Sequence, residues 1–197
     1  GYDQVDFLGH RVGIGTIGPK AELVRKIKEA PRPETKRQVQ SFISLVNFYK
    51  EYIPGRAEIM FPLTGLTKAN SSNQVDWTDE HDKAFETLKT RLSSEPVLKL
   101  PKFDREFILQ TDASDKSIGA TLLQEYDGMK HPVGFASKKL LPRERNYTVG
   151  ERECLAVIWG VQKYQRYLYG RHFVLETDHK PLECLNSNHS QNQRITR

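Results

Sequence analysis

Three acidic positions in this chain could do chemistry together. Asp112 ends the run Phe107-Ile108-Leu109-Gln110-Thr111, Glu151 and Glu153 precede Cys154-Leu155-Ala156, and Asp178 ends the run Phe173-Val174-Leu175-Glu176-Thr177. An apolar, β-preferring run that stops at a carboxylate reads as a buried strand ending at a polar edge. A carboxylate there is costly unless it is paired, hydrogen-bonded or bound to a cation. A strand, a helix and a strand, each with an acid at one end, can converge three carboxylates, which is how a hard ion such as Mg²⁺ is held in phosphoryl-transfer sites. Helix periodicity sets Glu151 and Glu153 on opposite flanks of an apolar stripe and does not choose between them. Each acid also has an ordinary reading. Asp112 could cap a turn, Glu153 could face a helix dipole, and Asp178 could cap the chain ahead of Pro181. All three arising in this order by chance is improbable. Asp115 and Glu176 read as turn and surface acids.

The elements that must position these acids follow from the period of the sequence after residue 104. Strands are expected at 106–111, 118–124 and 133–136, with Asp127-Gly128 as a hairpin signal and the third strand starting after Pro132. A long helix is expected over about 151–168, with Cys154, Val157, Val161, Tyr164 and Leu168 as its buried stripe and Gly170 at its end. A fourth strand at 172–177 and a short helix from Pro181 through Leu185 precede a polar tail. The order β-β-β-α-β-α lets the first and fourth strands pair in parallel through a right-handed crossover. Asp112 and Asp178 then share one edge of a mixed sheet.

Upstream, residues 1–18 read as a strand and a Gly-rich turn. A helix over 20–30 carries Leu23, Ile27 and Ala30 on one face and stops at Pro31 and Pro33. Thr35 has the form of an N-cap with Gln38 as its capping-box partner. Val39, Phe42, Leu45 or Val46, Tyr49 and Ile53 follow at helical spacing up to Pro54-Gly55, and another helix is expected over 57–66. Lys36, Arg37, Lys50 and Arg56 give this helical unit a basic face, whose ordinary reading is plain solvation. Residues 67–76 are polar and turn-rich, the best linker candidate. Thr78 reads as the cap of a helix with Ala84, Phe85, Leu88 and Leu92 inside, followed by an extended stretch over 97–100.

Composition bounds the rest. The chain has 197 residues, 37% hydrophobic and 28% charged, with net charge +5 and mean hydropathy −0.63. That suits one large or two small domains with lean cores, and no apolar run is long enough to span a bilayer. The start, Gly1-Tyr2-Asp3-Gln4, has neither a signal-peptide pattern nor an initiator Met, so the chain reads as an excised piece of something longer. Cys154 and Cys184 are expected as thiols in a reducing compartment, and the six His residues show no zinc-ligand spacing.

Several motifs carry a resemblance. Thr111-Asp112-Ala113-Ser114, Pro132-Val133-Gly134-Phe135-Ala136-Ser137, Asn146-Tyr147, Glu153-Cys154-Leu155-Ala156-Val157, Tyr167-Leu168-Tyr169-Gly170 and Thr177-Asp178-His179 resemble the RNase H domain of gypsy-class LTR-retrotransposon reverse transcriptases. Upstream, Phe7-Leu8-Gly9-His10 resembles the primer-grip strand at the end of the polymerase palm, and Ser41-Phe42-Ile43-Ser44-Leu45 with Asn47-Phe48-Tyr49 resembles the thumb. Trp77-Thr78, Ala84-Phe85 and Leu88-Lys89 resemble the connection segment. The resemblance implies a mixed α/β chain. It divides into the end of the palm (1–19), a small helical thumb (20–70), a connection (71–103) and an RNase H-like domain that is truncated at its C-terminus (104–197).

The resemblance also carries a function. Asp112, Glu153 and Asp178 fall on the first three catalytic acids, which would hold two Mg²⁺ ions, or Mn²⁺ in their place, and hydrolyse the RNA strand of an RNA–DNA hybrid. The polymerase's own acids would lie before residue 1 and the fourth RNase H acid after residue 197, so the fragment alone is expected to be a weak nuclease. Phe7, Leu8, Gly9 and His10, with Lys36, Arg37, Lys138 and Lys139, are the expected nucleic-acid contacts, and Lys116, Arg143 and Arg145 are further phosphate candidates. Expected partners are the RNA–DNA hybrid, the primer–template duplex and the rest of the Pol polyprotein, with no membrane. The expected setting is intracellular, in the cytoplasm, a retroelement particle or the nucleus. The rival class is a non-catalytic nucleic-acid-binding or structural module from a domesticated or decayed retroelement.

Overall fold

The computed structural model describes residues 3–94 and 97–177. The chain divides into two compact units, residues 1–100 and 101–197.

The first unit opens with an antiparallel meander of β1 (Gln4–Phe7), β2 (His10–Gly13) and β3 (Thr16–Pro19). Two residues turn the chain between β1 and β2. Both have positive φ, Leu8 at 45° and Gly9 at 83°, the backbone hand that matches strand twist in a two-residue hairpin. A short strand β4 (Leu98–Lys99) adds to the far side of β3. The helices are α1 (Ala21–Lys28), α2 (Lys36–Phe48), α3 (Arg56–Ile59), α4 (Phe61–Gly65) and α5 (Asp79–Ser93).

The capping box expected at Thr35 is present, with both the Thr35 and the Gln38 side chains engaged. So is the stripe of α5: Ala84, Phe85, Leu88 and Leu92 are all buried, and Phe85 meets Phe42 of α2 at 4.6 Å between ring centres. Two expectations shift. On α1 it is Val24, not Leu23, that joins Ile27 in the interior. The helix expected over 57–66 is instead α3 and α4. Pro62 has no N–H to offer the preceding turn, and its ring crowds the carbonyl there, so the helix breaks at Met60. The polar stretch 67–76 is tied back onto the start of α2, by Lys36 N–H to Asn73 O at 2.8 Å and Val75 N–H to Glu34 O at 3.0 Å.

The second unit is built on a mixed sheet of β5 (Phe107–Ala113), β6 (Ser117–Tyr126), β7 (Met129–Lys139) and β8 (Phe173–Glu176), in the order β7-β6-β5-β8. β5 pairs antiparallel with β6 and parallel with β8, as the crossover reading requires. Asp127-Gly128 makes the β6–β7 turn with both φ values positive. β7 runs straight through Pro132 rather than starting after it. β7 is an edge strand, where a missing N–H is tolerated, and a bulge opposite Leu122 and Leu123 absorbs the extra residue.

A short helix α6 (Pro142–Arg145) leads to the long helix α7 (Val149–Lys163), and α8 (Gln165–Leu168) continues it after a break at Tyr164. α7 starts two residues earlier than its sequence period suggests, because Thr148 caps it. Its interior face is also smaller than expected. Glu153, Cys154, Ala156 and Gly160 are buried there, while Val157 and Val161 are only half-buried. The core beneath comprises Phe107, Leu109, Ala120, Leu122, Ala136, Tyr164 and Leu168. The short helix expected over 181–185 lies outside the described residues.

Candidate nuclease site

β5 sets the first acid. Its odd-numbered residues face α7. A Cβ placed on Gly160 would stand 3.2 Å from Thr111 Cγ2 and 3.6 Å from Leu109 Cδ2, so these side chains lie against the helix. Successive strand residues point to opposite faces. Asp112 therefore leaves the strand on the other pleat, exposed, one residue before β5 ends and paired in register with Gly119 of β6.

α7 carries both candidate glutamates and gives them different surroundings. Glu151 serves the cap: one carboxylate oxygen accepts from Thr148 N–H at 2.9 Å and from Thr148 Oγ1 at 3.0 Å. Glu153 lies on the buried stripe at 4% exposure, one turn before Ala156. Ala156 packs with Ile118 and Leu140 and is flanked by Ala113, the last residue of β5. Arg152, between the two glutamates, donates from Nη1 to Ser114 O at 2.8 Å. The first turn of α7 is thus bonded to the residue that follows Asp112 and Ala113. A glutamate so nearly excluded from water, on a helix face otherwise made of small apolar residues, is unusual, because burial penalises the charged form. Neighbouring Cys154 is buried, and desolvation pushes its thiol pKa up, which disfavours a reactive thiolate.

The third acid, Asp178, lies outside the described residues. The parallel register runs from Phe107 opposite Phe173 to Gln110 opposite Glu176. Asp112 follows Gln110 by two residues, and Asp178 follows Glu176 by two. Glu176 itself accepts from Lys130 Nζ at 2.5 Å and Gln110 Nε2 at 2.7 Å. These bonds hold its carboxyl below the usual range, which fits a structural acid. Among the described residues no group of three or more His, Cys, Asp or Glu is placed to hold a metal ion. Asp112 and Glu153 each offer a carboxylate, the donor a hard cation takes, on a strand end and a helix start that are hydrogen-bonded together, Asp112 from the pleat turned away from α7 and Glu153 from the helix face turned to the sheet.

The expected nucleic-acid contacts divide by environment. Phe7 is 62% and Leu8 74% exposed at the β1–β2 turn. Gly9 holds that turn down: its carbonyl accepts from Tyr49 OH at 2.8 Å, and a Cβ there would stand 2.8 Å from the Phe48 ring. His10 faces inward. Its Nδ1 is 2.9 Å from Tyr52 OH, and its ring stacks on Phe48 and Tyr52. Lys36 donates to the carbonyls of Lys68 and Ala69, and Lys138 pairs with Glu144 at 3.1 Å. Arg37 and Lys139 are exposed. Arg152 and Gly160 are the residues that reading the sequence missed. A cation in the first turn of a helix opposes its dipole, and that was the available signal for Arg152.

Among the described residues, no helix is long and apolar enough to cross a membrane. Residues 77–175 match the family model described as an RNase H-like domain found in reverse transcriptase. The chain is 35% identical, over 93% of its length, to the retrovirus-related Pol polyprotein from transposon 297 of Drosophila melanogaster, and 34% identical, over 98%, to that from transposon 412 of the same fly. It spans only 17% and 16% of the lengths of these two relatives. Among solved structures it is similar to the foamy viral protease–reverse transcriptase in complex with double-stranded DNA (TM-score 0.79, 23% identity, 93% of this chain and 32% of that one). The same enzyme in complex with RNA/DNA hybrid gives TM-score 0.77 at 22% identity, over 98% of this chain and 27% of that one. At those identities the likeness concerns the fold. The family match spans α5 through most of β8, including Asp112 and Glu153, and with the transposon relatives it shows that the chain belongs to the RNase H-like domain family of reverse transcriptases, as found in retroelement Pol polyproteins.

Proposed function

We propose that the chain is a portion of the reverse transcriptase of a gypsy-class element and that its second unit cuts the RNA strand of RNA–DNA hybrids. Asp112, Glu153 and Asp178 would hold divalent ions, Mg²⁺ or Mn²⁺. When bound, such ions supply charge neutralisation at the phosphate and a water of lowered pKa. The observation that carries the reading is the placement of Glu153. It is a buried carboxylate whose helix turn is bonded, through Arg152, to the residue just beyond the Asp112 strand end. The protein's own part in the reaction is to fix those oxygens in place and to receive the substrate beside them.

The substrate follows from chemistry that favours groove shape, 2′-hydroxyls and phosphates over base edges. The relatives solved with double-stranded DNA and with RNA/DNA hybrid support a duplex partner. In the first unit, Phe7 and Leu8 offer an exposed apolar tip on a turn that Gly9 and Tyr49 hold rigid, which suits contact with a primer–template duplex. Arg37, which is exposed, is the expected contact best placed to reach phosphate. Lys36 and Lys138 would first have to leave the partners they have now.

The test is cleavage of a labelled RNA–DNA hybrid by the Pol polypeptide that carries this chain, with Mg²⁺ and with chelator. Asp112→Asn should abolish cutting of the RNA strand while leaving hybrid binding and folding in place. Cleavage retained by the purified variant would remove Asp112 from the site and favour the non-catalytic reading.

A further inference from the structure

Arg152 ties the first turn of α7 to the turn between β5 and β6 by a hydrogen bond. On the strand side, Ser114 is the hub of the β5–β6 turn. Its N–H donates to Ser117 O at 2.8 Å, and its Oγ accepts from the N–H groups of Lys116 at 3.2 Å and Ser117 at 3.0 Å. The carbonyl of Ser114 takes the Arg152 guanidinium. On the helix side, Arg152 Nε is buried with no hydrogen-bond partner among the described residues.

α7 is otherwise seated on the sheet at Gly160, whose missing side chain lets the helix lie against Thr111 and Ala120, and at Ala156, which packs with Ile118 and Leu140. The first turn of α7, which carries Arg152 and Glu153, lies N-terminal to both seats. Glu153 is three residues from Ala156, about 4.5 Å along the helix at the helical rise, so a tilt of about 13° would carry it about 1 Å. A displacement of that size at a reacting centre can cost on the order of 100-fold in rate.

We propose that Arg152 is a positioning residue, which locks the first turn of α7 to the turn ending β5 and so fixes where Glu153 stands relative to Asp112. The inference rests on the nuclease reading above. It requires no contact between Arg152 and the substrate or the metal.

The experiment compares Arg152→Met and Arg152→Lys with Asp112→Asn in the Pol polypeptide carrying the chain. Four quantities are measured: single-turnover cleavage of an RNA–DNA hybrid, KM for the hybrid, Mn²⁺ affinity by calorimetry without substrate, and the unfolding temperature. Arg152→Met should lower the cleavage rate and the Mn²⁺ affinity, each by roughly 10- to 100-fold, the range seen when groups that orient metal ligands are removed. KM for the hybrid should stay unchanged. Arg152→Lys, whose ammonium can reach the same carbonyl, should recover most of both losses. If Arg152→Met does not fold, Arg152→Gln, too short to reach Ser114 O, should show the same pair of losses. Wild-type cleavage and Mn²⁺ affinity in Arg152→Met, beside an inactive Asp112→Asn, would overturn the positioning role and leave the nuclease reading standing. A loss that Lys does not recover, or that tracks the unfolded fraction, would overturn it too. If Asp112→Asn still cleaves, the nuclease reading falls, and the Mn²⁺ comparison alone decides Arg152: unchanged affinity counts against it.

Discussion

Glu151 and Glu153 are two residues apart and have different work. The first closes a capping box with Thr148; the second is buried on the sheet-facing stripe. The sequence period could not separate them, because both flank the apolar stripe, and it is the bond that occupies Glu151 and the burial of Glu153 that set their surroundings apart. Thr35 and Gln38, by contrast, were legible at once, since a capping box is a local pattern with a fixed three-residue spacing. His10 was legible only as part of a motif, and its packing against α2 and the turn after it was not. Burial lowers its pKa from the ordinary 6.5, while nearby Glu51 acts weakly the other way. A histidine whose folded pKa is depressed favours the neutral form in the fold. Its contribution to stability is complete above the ordinary value and is lost as pH falls through it towards the lower folded value. The first unit is therefore expected to melt at a lower temperature at about pH 5 than at about pH 7.5. His10→Gln should shrink that difference. An equal drop in both proteins, followed by circular dichroism, would show that His10 is not its source.

At the scale of elements, α7 and its seat on β5 and β6 decide where the site can be. The order of elements along the chain, the parallel β5–β8 pair and the hairpin at Asp127-Gly128 followed from period and turn chemistry. The stripe of α7 did not: large residues at Val157 and Val161 looked like core, yet the helix turns Ala156 and Gly160 inward. Small residues carry little hydrophobic signal, and their value lies in how closely they let two backbones approach. Gly160→Ala tests that seat. The added Cβ would sit 3.2 Å from both Ala120 Cβ and Thr111 Cγ2, tighter than ordinary contact. The expected cost is about 1–3 kcal/mol, as for other overpacked cores. It should appear as a lower denaturant midpoint with unchanged slope. A variant as stable as wild type would mean that α7 can ride up without penalty. Pro132 and Pro62 were the other element-scale surprises. One was accommodated by an edge strand and a bulge, the other by a helix break, and the sequence alone cannot say which remedy a proline will find.

For the whole molecule, the chain joins a helical unit with an exposed apolar hairpin tip to an RNase H-like unit whose sheet edge carries Asp112. The net charge of +5 is modest, so duplex affinity should come from a few phosphate contacts. Binding of an RNA–DNA hybrid should weaken as salt rises, with a log–log slope of about −0.9 per phosphate neutralised on a B-form duplex. Replacing Arg37 or Lys139 by Ala should each reduce that slope by about one. A slope unchanged in both variants would leave these cations as solvated surface. The central claim, that Glu153 rather than its neighbour completes a metal-dependent nuclease site with Asp112, is tested most directly by one comparison. The measurement is the single-turnover rate of RNA cleavage in a hybrid, with Mg²⁺, for Glu153→Gln and Glu151→Gln in the Pol polypeptide carrying the chain. Glu153→Gln should lose cleavage and keep its fold. Glu151→Gln should keep cleavage and give up about 1 kcal/mol or less of helix-cap stability. Cleavage by Glu153→Gln at the wild-type rate would contradict the account.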